Sequence, residues 1–108
     1  MSRVAIGNQS QAVANSFVTV YEVPATVDYA SVSVNIANFG TAKANVKVFI
    51  SMVDSPPNAA IVEPNAQLDA NGGVLLRSYD IIRTGEKLVV YSDVSDVAIR
   101  VSGIGETK

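Results

Sequence analysis

The chain contains no cysteine and no histidine. That excludes a disulfide framework, a thiolate metal site and nucleophiles of the Ser-His-Asp or Cys-His type, along with most zinc, copper and iron sites. Charge is also scarce: 17% of the 108 residues are charged, eight basic and ten acidic, for a formal net charge of −2. The basic residues Arg3, Lys43, Lys47, Arg77, Arg83, Lys87, Arg100 and Lys108 are scattered. They form no stripe able to displace counterions from phosphates, so no nucleic-acid partner is expected. No apolar run approaches the ~20 residues of a membrane helix, and Met1–Gln9 lacks the apolar stretch of a secretion signal. The expectation is a chain that does not enter a membrane and is made in a cytoplasm. No segment carries the 3.6-residue period of an amphipathic helix, so there is also no glycine loop opening a helix to cradle a phosphate.

What is abundant is apolar residues in alternation. Hydrophobic residues make up 48% of the sequence, which excludes a disordered chain, and the length suits one core between two β-layers. Residues 31–38 place Val32, Val34 and Ile36 on one face and Ser31, Ser33 and Asn35 on the other, the pattern of a half-buried strand. Residues 44–50 repeat it, with Ala44, Val46, Val48 and Ile50 opposite Asn45, Lys47 and Phe49. The intervening Asn38–Lys43 predicts a hairpin loop. A strand over 17–23 stops at Pro24, and strands over 87–92 and 97–104 follow turns at Thr84–Lys87 and Ser92–Asp96. Residues 73–82 are irregular, reading as one strand with a bulge or break. Shorter strands are expected around Ala60–Glu63, Gln67–Asp69 and Arg3–Ile6. Asn71-Gly72-Gly73 fits a tight hairpin turn needing positive φ. Seven or eight short strands punctuated this way predict an all-β antiparallel sandwich, either a jelly roll or a Greek-key, immunoglobulin-like one. Residues 1–16 would form an N-terminal arm or edge strand, and 17–108 the sandwich.

Little of this is suited to catalysis. Asp28, Asp54, Glu63, Asp69, Asp80, Asp93 and Asp96 fall at strand ends and turns, and none lies in an apolar run that would raise its pKa for general-acid work. No enzyme and no cofactor are expected. Asp93 and Asp96 are the best calcium candidate, but two carboxylates in one turn fall well short of six to eight oxygens. Contact with another protein is the better prospect. Phe49 lies opposite the apolar stripe of its strand, Phe39 at a loop tip, and Pro56 and Pro57 in the breaker Asp54–Asn58. In the arm, Val4 and Ile6 alternate as though to add a strand to a neighbour's sheet. A sugar-stacking platform on Tyr29, Phe39 or Tyr79 is the alternative of another class.

Tyr21-Glu22-Val23-Pro24-Ala25 resembles the opening of small virion proteins of tailed bacteriophages. The alternating strand ending in Asn38, the second strand Val46–Ile50, the turn Asn71-Gly72-Gly73, Gly85–Val90 and the closing strand Val97–Ile104 are similar to the same pattern. The resemblance covers roughly residues 17–105 and leaves 54–66 and the arm unmatched. It implies a non-enzymatic virion protein, a decoration or cement protein on the capsid exterior or a tail, neck or fibre subunit. Its partners would be the major capsid protein or other virion proteins, and a homo-oligomer, dimer or trimer, would follow from symmetry preferences.

Overall fold

A computed structural model describes residues 2–108. Eight strands follow in order: β1 (Arg3–Gln11), β2 (Ser16–Glu22), β3 (Val27–Asn38), β4 (Ala44–Ser51), β5 (Ile61–Leu68), β6 (Val74–Arg83), β7 (Lys87–Ser92) and β8 (Val97–Thr107). A 3-10 turn at Asn58–Ala60 precedes β5, and there is no α-helix among the described residues. The strands form two antiparallel four-stranded sheets, ordered β1-β8-β3-β6 and β2-β7-β4-β5. The chain changes sheet after every strand except β4. That order is a jelly roll, which decides between the two sandwich types the sequence left open.

The alternation read from the sequence is what closes the sandwich. Val32, Val34 and Ile36 from β3 meet Val46 and Val48 from β4, Leu88 and Val90 from β7 and Ile99 and Val101 from β8 in one buried cluster. Each stripe can leave water only against the opposite sheet, so burial of these side chains, at roughly 25 cal/mol per Å² of apolar surface, holds the layers together.

The hairpins expected from the short loops are corners instead. β3 and β4 lie in different sheets, as do β5 and β6, β6 and β7, and β7 and β8. Among consecutive strands only β4 and β5 pair. A short turn reverses the chain but does not say whether the next strand lies beside the last or across from it. With an apolar stripe on most strands, crossing over buries those stripes between the sheets. The expected positive φ at the Asn71–Gly73 turn is present, at 60° for Asn71 and 123° for Gly72, but that turn links the two sheets.

One buried amide knits this end together. Asn38, with no exposed surface, donates from Nδ2 to the carbonyls of Ala42 (2.8 Å), Asp69 (3.2 Å) and Leu68 (3.4 Å) and accepts the Gly40 N–H at 3.0 Å. Elsewhere β8 approaches β3 so closely at Gly103 that a Cβ there would fall on the Ser31 carbonyl oxygen, which is why this strand interior tolerates a glycine. Two further differences follow from edge positions. β5 runs continuously through Pro64 with shifts in register, because an edge strand need not donate on its outer side. β1 is longer than the Arg3–Ile6 segment expected and pairs with β8 through nine consecutive residues.

Candidate protein-interaction surface

The outer faces of the two sheets differ. On the second sheet the cross-strand rows run Phe17–Tyr91–Lys47 and Thr19–Val89–Phe49–Ile61. Phe49 and Val89 point away from the core, yet Phe49 is only 2% exposed and Val89 not at all. The Phe17 ring meets Phe49 edge-on at 5.6 Å and Tyr91 at 5.5 Å, and the Lys47 ammonium lies 5.5 Å from the Tyr91 ring. The β4–β5 connection, residues 52–60, is pinned onto this face. The Asp54 carboxylate accepts from the Thr19 hydroxyl at 2.6 Å and pairs with Lys87 at 3.2 Å. These contacts, Thr19 first and then Lys87, hold the Asp54 pKa below its ordinary value. Pro56 is buried in the strap and Pro57 exposed. Phe49 and Val89 are thus sealed by the chain itself, while Phe17 at the margin of the cluster stays exposed.

The first sheet has no such cover. Pairing sets its outer face in rows: Gln11–Ala98–Ala37–Val74, then Gln9–Arg100–Asn35–Leu76, then Gly7–Ser102–Ser33, then Ala5–Ile104–Ser31–Ile81. The middle of this face is flat and built of small residues. The β6 side is apolar: Val74, Leu76, Tyr79 and Ile81 are all exposed, as is Ile104 two strands away. The third row is interrupted because Ser78 and Tyr79 together oppose the single residue Ser33, a bulge in β6. This is the irregularity legible at 73–82. Tyr79 there has φ 65° and is 83% exposed. A bulky residue in the left-handed region costs about 1–3 kcal/mol. The strain is braced by Arg77, whose guanidinium donates to both Asp80 oxygens at 2.6 and 3.0 Å and reaches Glu63 of β5 at 3.4 Å.

The four sheet edges also differ. β5 carries Pro64 and register shifts, β6 its bulge, and β2 a shift between Thr19 and Tyr21. β1 has no proline and no bulge, and Arg3 is its one charged residue. Ala12 N–H donates to the Val97 carbonyl and Thr107 N–H to the Ser2 carbonyl, at 2.9 and 2.8 Å. Continued along the unbroken register, these bonds make the even-numbered residues of β1 the hydrogen-bonded pairs with β8. The backbone groups of Arg3, Ala5, Gly7, Gln9 and Gln11 therefore face outward from the sheet.

The residues singled out from sequence are dispersed. Val4 is exposed, Ile6 is half-buried against the core, and Phe39 is exposed on the β3–β4 corner. Phe49 is sealed and Pro56 buried within the strap. Asp93 acts as a corner staple, its two oxygens accepting Asn45 N–H at 2.8 Å and Asn45 Nδ2 at 2.9 Å. Partial burial pushes its pKa up, but the hydrogen bonds outweigh that and leave it lowered. Asp96 lines a shallow cavity with Asn38, Gly40 and Thr41. Among the described residues no three of His, Cys, Asp and Glu gather as a metal site would require. Val74, Leu76 and Ile81 of β6 escaped the sequence reading because a bulged edge strand has no clean period, and Tyr79 was singled out only as a sugar-stacking residue; the irregularity at 73–82 was the one signal of the strand's exposed face.

No protein family and no curated protein matches the sequence. The fold places the chain among the jelly-roll sandwiches. In particular it is similar, at TM-score 0.59 and 11% identity over 98% of this chain and 87% of the other, to a structure reported under the words "Bacillus endospore appendages form a novel family of disulfide-linked pili". A pentameric capsid protein from metagenomic phage sequences aligns at 17% identity over 93% of this chain and 60% of its own, with TM-score 0.34, too low to carry an argument. This overturns the phage reading, and with it the capsid-exterior location, the decoration, cement or tail role and the capsid-protein partner. The sugar-stacking platform is not assembled either: Tyr29 and Phe39 lie at opposite ends of β3, and Tyr79 stands in the β6 bulge. The physical reason is that the resembling motifs are requirements of the fold. A proline ending a strand, inward alternation, a buried corner asparagine and a positive-φ turn serve any jelly roll, whatever it is part of.

Proposed function

We propose that this chain is a non-enzymatic structural subunit that assembles with copies of itself into a surface filament of the pilus type. The observation that carries the reading is β1, a regular, nearly uncharged edge strand whose outward backbone groups are unpaired. Such an edge is a template for another strand, and proteins that remain single copies blunt it. A contact between β1 and a different surface of the next copy is heterologous, and where its rotation does not close a ring it repeats as an open filament. The likeness to a pilus protein supports this, and by that likeness the filament belongs on the exterior of a spore. The absence of histidine and cysteine supports the non-enzymatic part. The test is negative-stain electron microscopy of the purified chain over a concentration series, with sedimentation in parallel. Filaments, or oligomers that grow with concentration, are expected. A single monomeric species up to millimolar concentration overturns the reading.

A further inference from the structure

The reading above says that copies meet but leaves the bare face of the first sheet unexplained. That face bears a protrusion and a hollow. The protrusion is Tyr79, with φ 65°, 83% exposed, and held in its bulge by the two-oxygen clasp of Arg77 on Asp80. With its backbone fixed in the bulge, this exposed aromatic has only its side-chain rotations to lose on docking, and large aromatics with few rotatable bonds are common interface anchors. The hollow is lined by Ser33, Asn35, Leu76, Arg100 and Ser102. Its floor is small side chains, and Leu76 and Arg100 form its walls. Arg100 makes no ion pair or side-chain hydrogen bond among the described residues. An unpaired guanidinium beside an apolar wall suits the face of an aromatic ring.

Both features lie on the same face, with β3 between β6 and β8, so they are about 10 Å apart across two strand spacings. A protrusion and its complement side by side on one surface are what an isologous contact requires. We propose that the outer face of the first sheet docks a second copy of this chain about a two-fold axis, with Tyr79 of each copy seated between Leu76 and Arg100 of the other. This rests on the filament reading and adds a second kind of contact: the β1 edge extends a row of subunits, and this face joins two rows. The second copy is favoured as occupant because the face supplies both halves of the contact, the exposed Tyr79 and the hollow beside it.

The chain's lack of cysteine makes the test clean. Full-length Tyr79→Cys and Arg100→Cys chains are mixed in a glutathione buffer and the crosslinked dimers separated without reductant. Mixed dimers well above the one-half expected by chance support the proposal; a chance distribution overturns it. Independently, Tyr79→Asn, which keeps a residue tolerant of positive φ, should retain or raise the thermal midpoint. It should also weaken association at least about tenfold. Arg100→Ala, on another strand, should weaken association similarly. Wild-type filaments with unchanged assembly in both variants defeat this contact and leave the filament reading standing. A wild-type chain that never associates defeats both.

Discussion

At the scale of single residues, the corner asparagine matters more than any candidate for chemistry. Asn38 is fully buried and serves carbonyls from two connections at once. Removing its amide takes the donor from the buried Leu68 carbonyl and the part-buried Ala42 and Asp69 carbonyls and leaves a void behind the corner, costing more than the hydrogen bonds were worth on balance. Asn38→Ala is expected to destabilise the domain by about 2–4 kcal/mol, read from the urea midpoint at unchanged slope. The sequence shows Asn38 at the end of an alternating strand, where a turn residue is ordinary. Its burial arises only when the β5–β6 corner closes over it.

At the scale of elements, the strap and the open edge each make a prediction. Asp54 ties residues 52–60 to Thr19 and Lys87, and Pro56 is the part of the strap that is buried. Asp54→Ala should free the strap, seen as faster proteolytic cleavage within 52–60 and greater quenching of the aromatic cluster, with the sandwich otherwise folded. The same loosening is expected on acidification. A carboxylate whose pKa is lowered in the folded state contributes stability above its unfolded value of about 4, and that contribution is lost as pH falls through the lower folded value. Proteolysis of the wild type with an acid-active protease between pH 5 and pH 2.5 measures this; a strap equally protected at both ends rejects it.

For the edge, Ala5→Pro removes an N–H that faces outward from β1, while the ladder to β8 uses the even-numbered residues. It should leave the far-ultraviolet circular dichroism spectrum and thermal midpoint close to wild type and suppress filament growth. Loss of folding would instead show that the Ala5 N–H belongs to the β8 ladder. The strands themselves were largely legible: the residues of β4 and β7 and the start of β2 stand where alternation placed them. The strap's role was not, because a breaker cluster says where a strand ends and nothing about which surface the loop covers.

At the scale of the whole molecule, the missing cysteines bear on the proposed filament. The pilus protein of similar fold is from disulfide-linked pili, and this chain has no cysteine thiol to link. Filaments of this chain should keep their length in excess dithiothreitol under the electron microscope and fall apart in hot detergent without reductant. Shortening by reductant alone would contradict an assembly held by strand pairing and packing.

The sequence by itself determined the class of fold and the exclusions. Period-two alternation has one physical outcome, a strand with one buried face, and a chain without histidine or cysteine cannot form the sites that need them. The tertiary structure decided everything that depends on which strand lies across from which. It turned the expected hairpins into corners, buried Phe49 beneath the strap and left the β1 edge and the Tyr79 face open. Alternation fixes the face a side chain takes, but the neighbour it meets is set by burying the stripes of both sheets together, and that is a property of the closed sandwich.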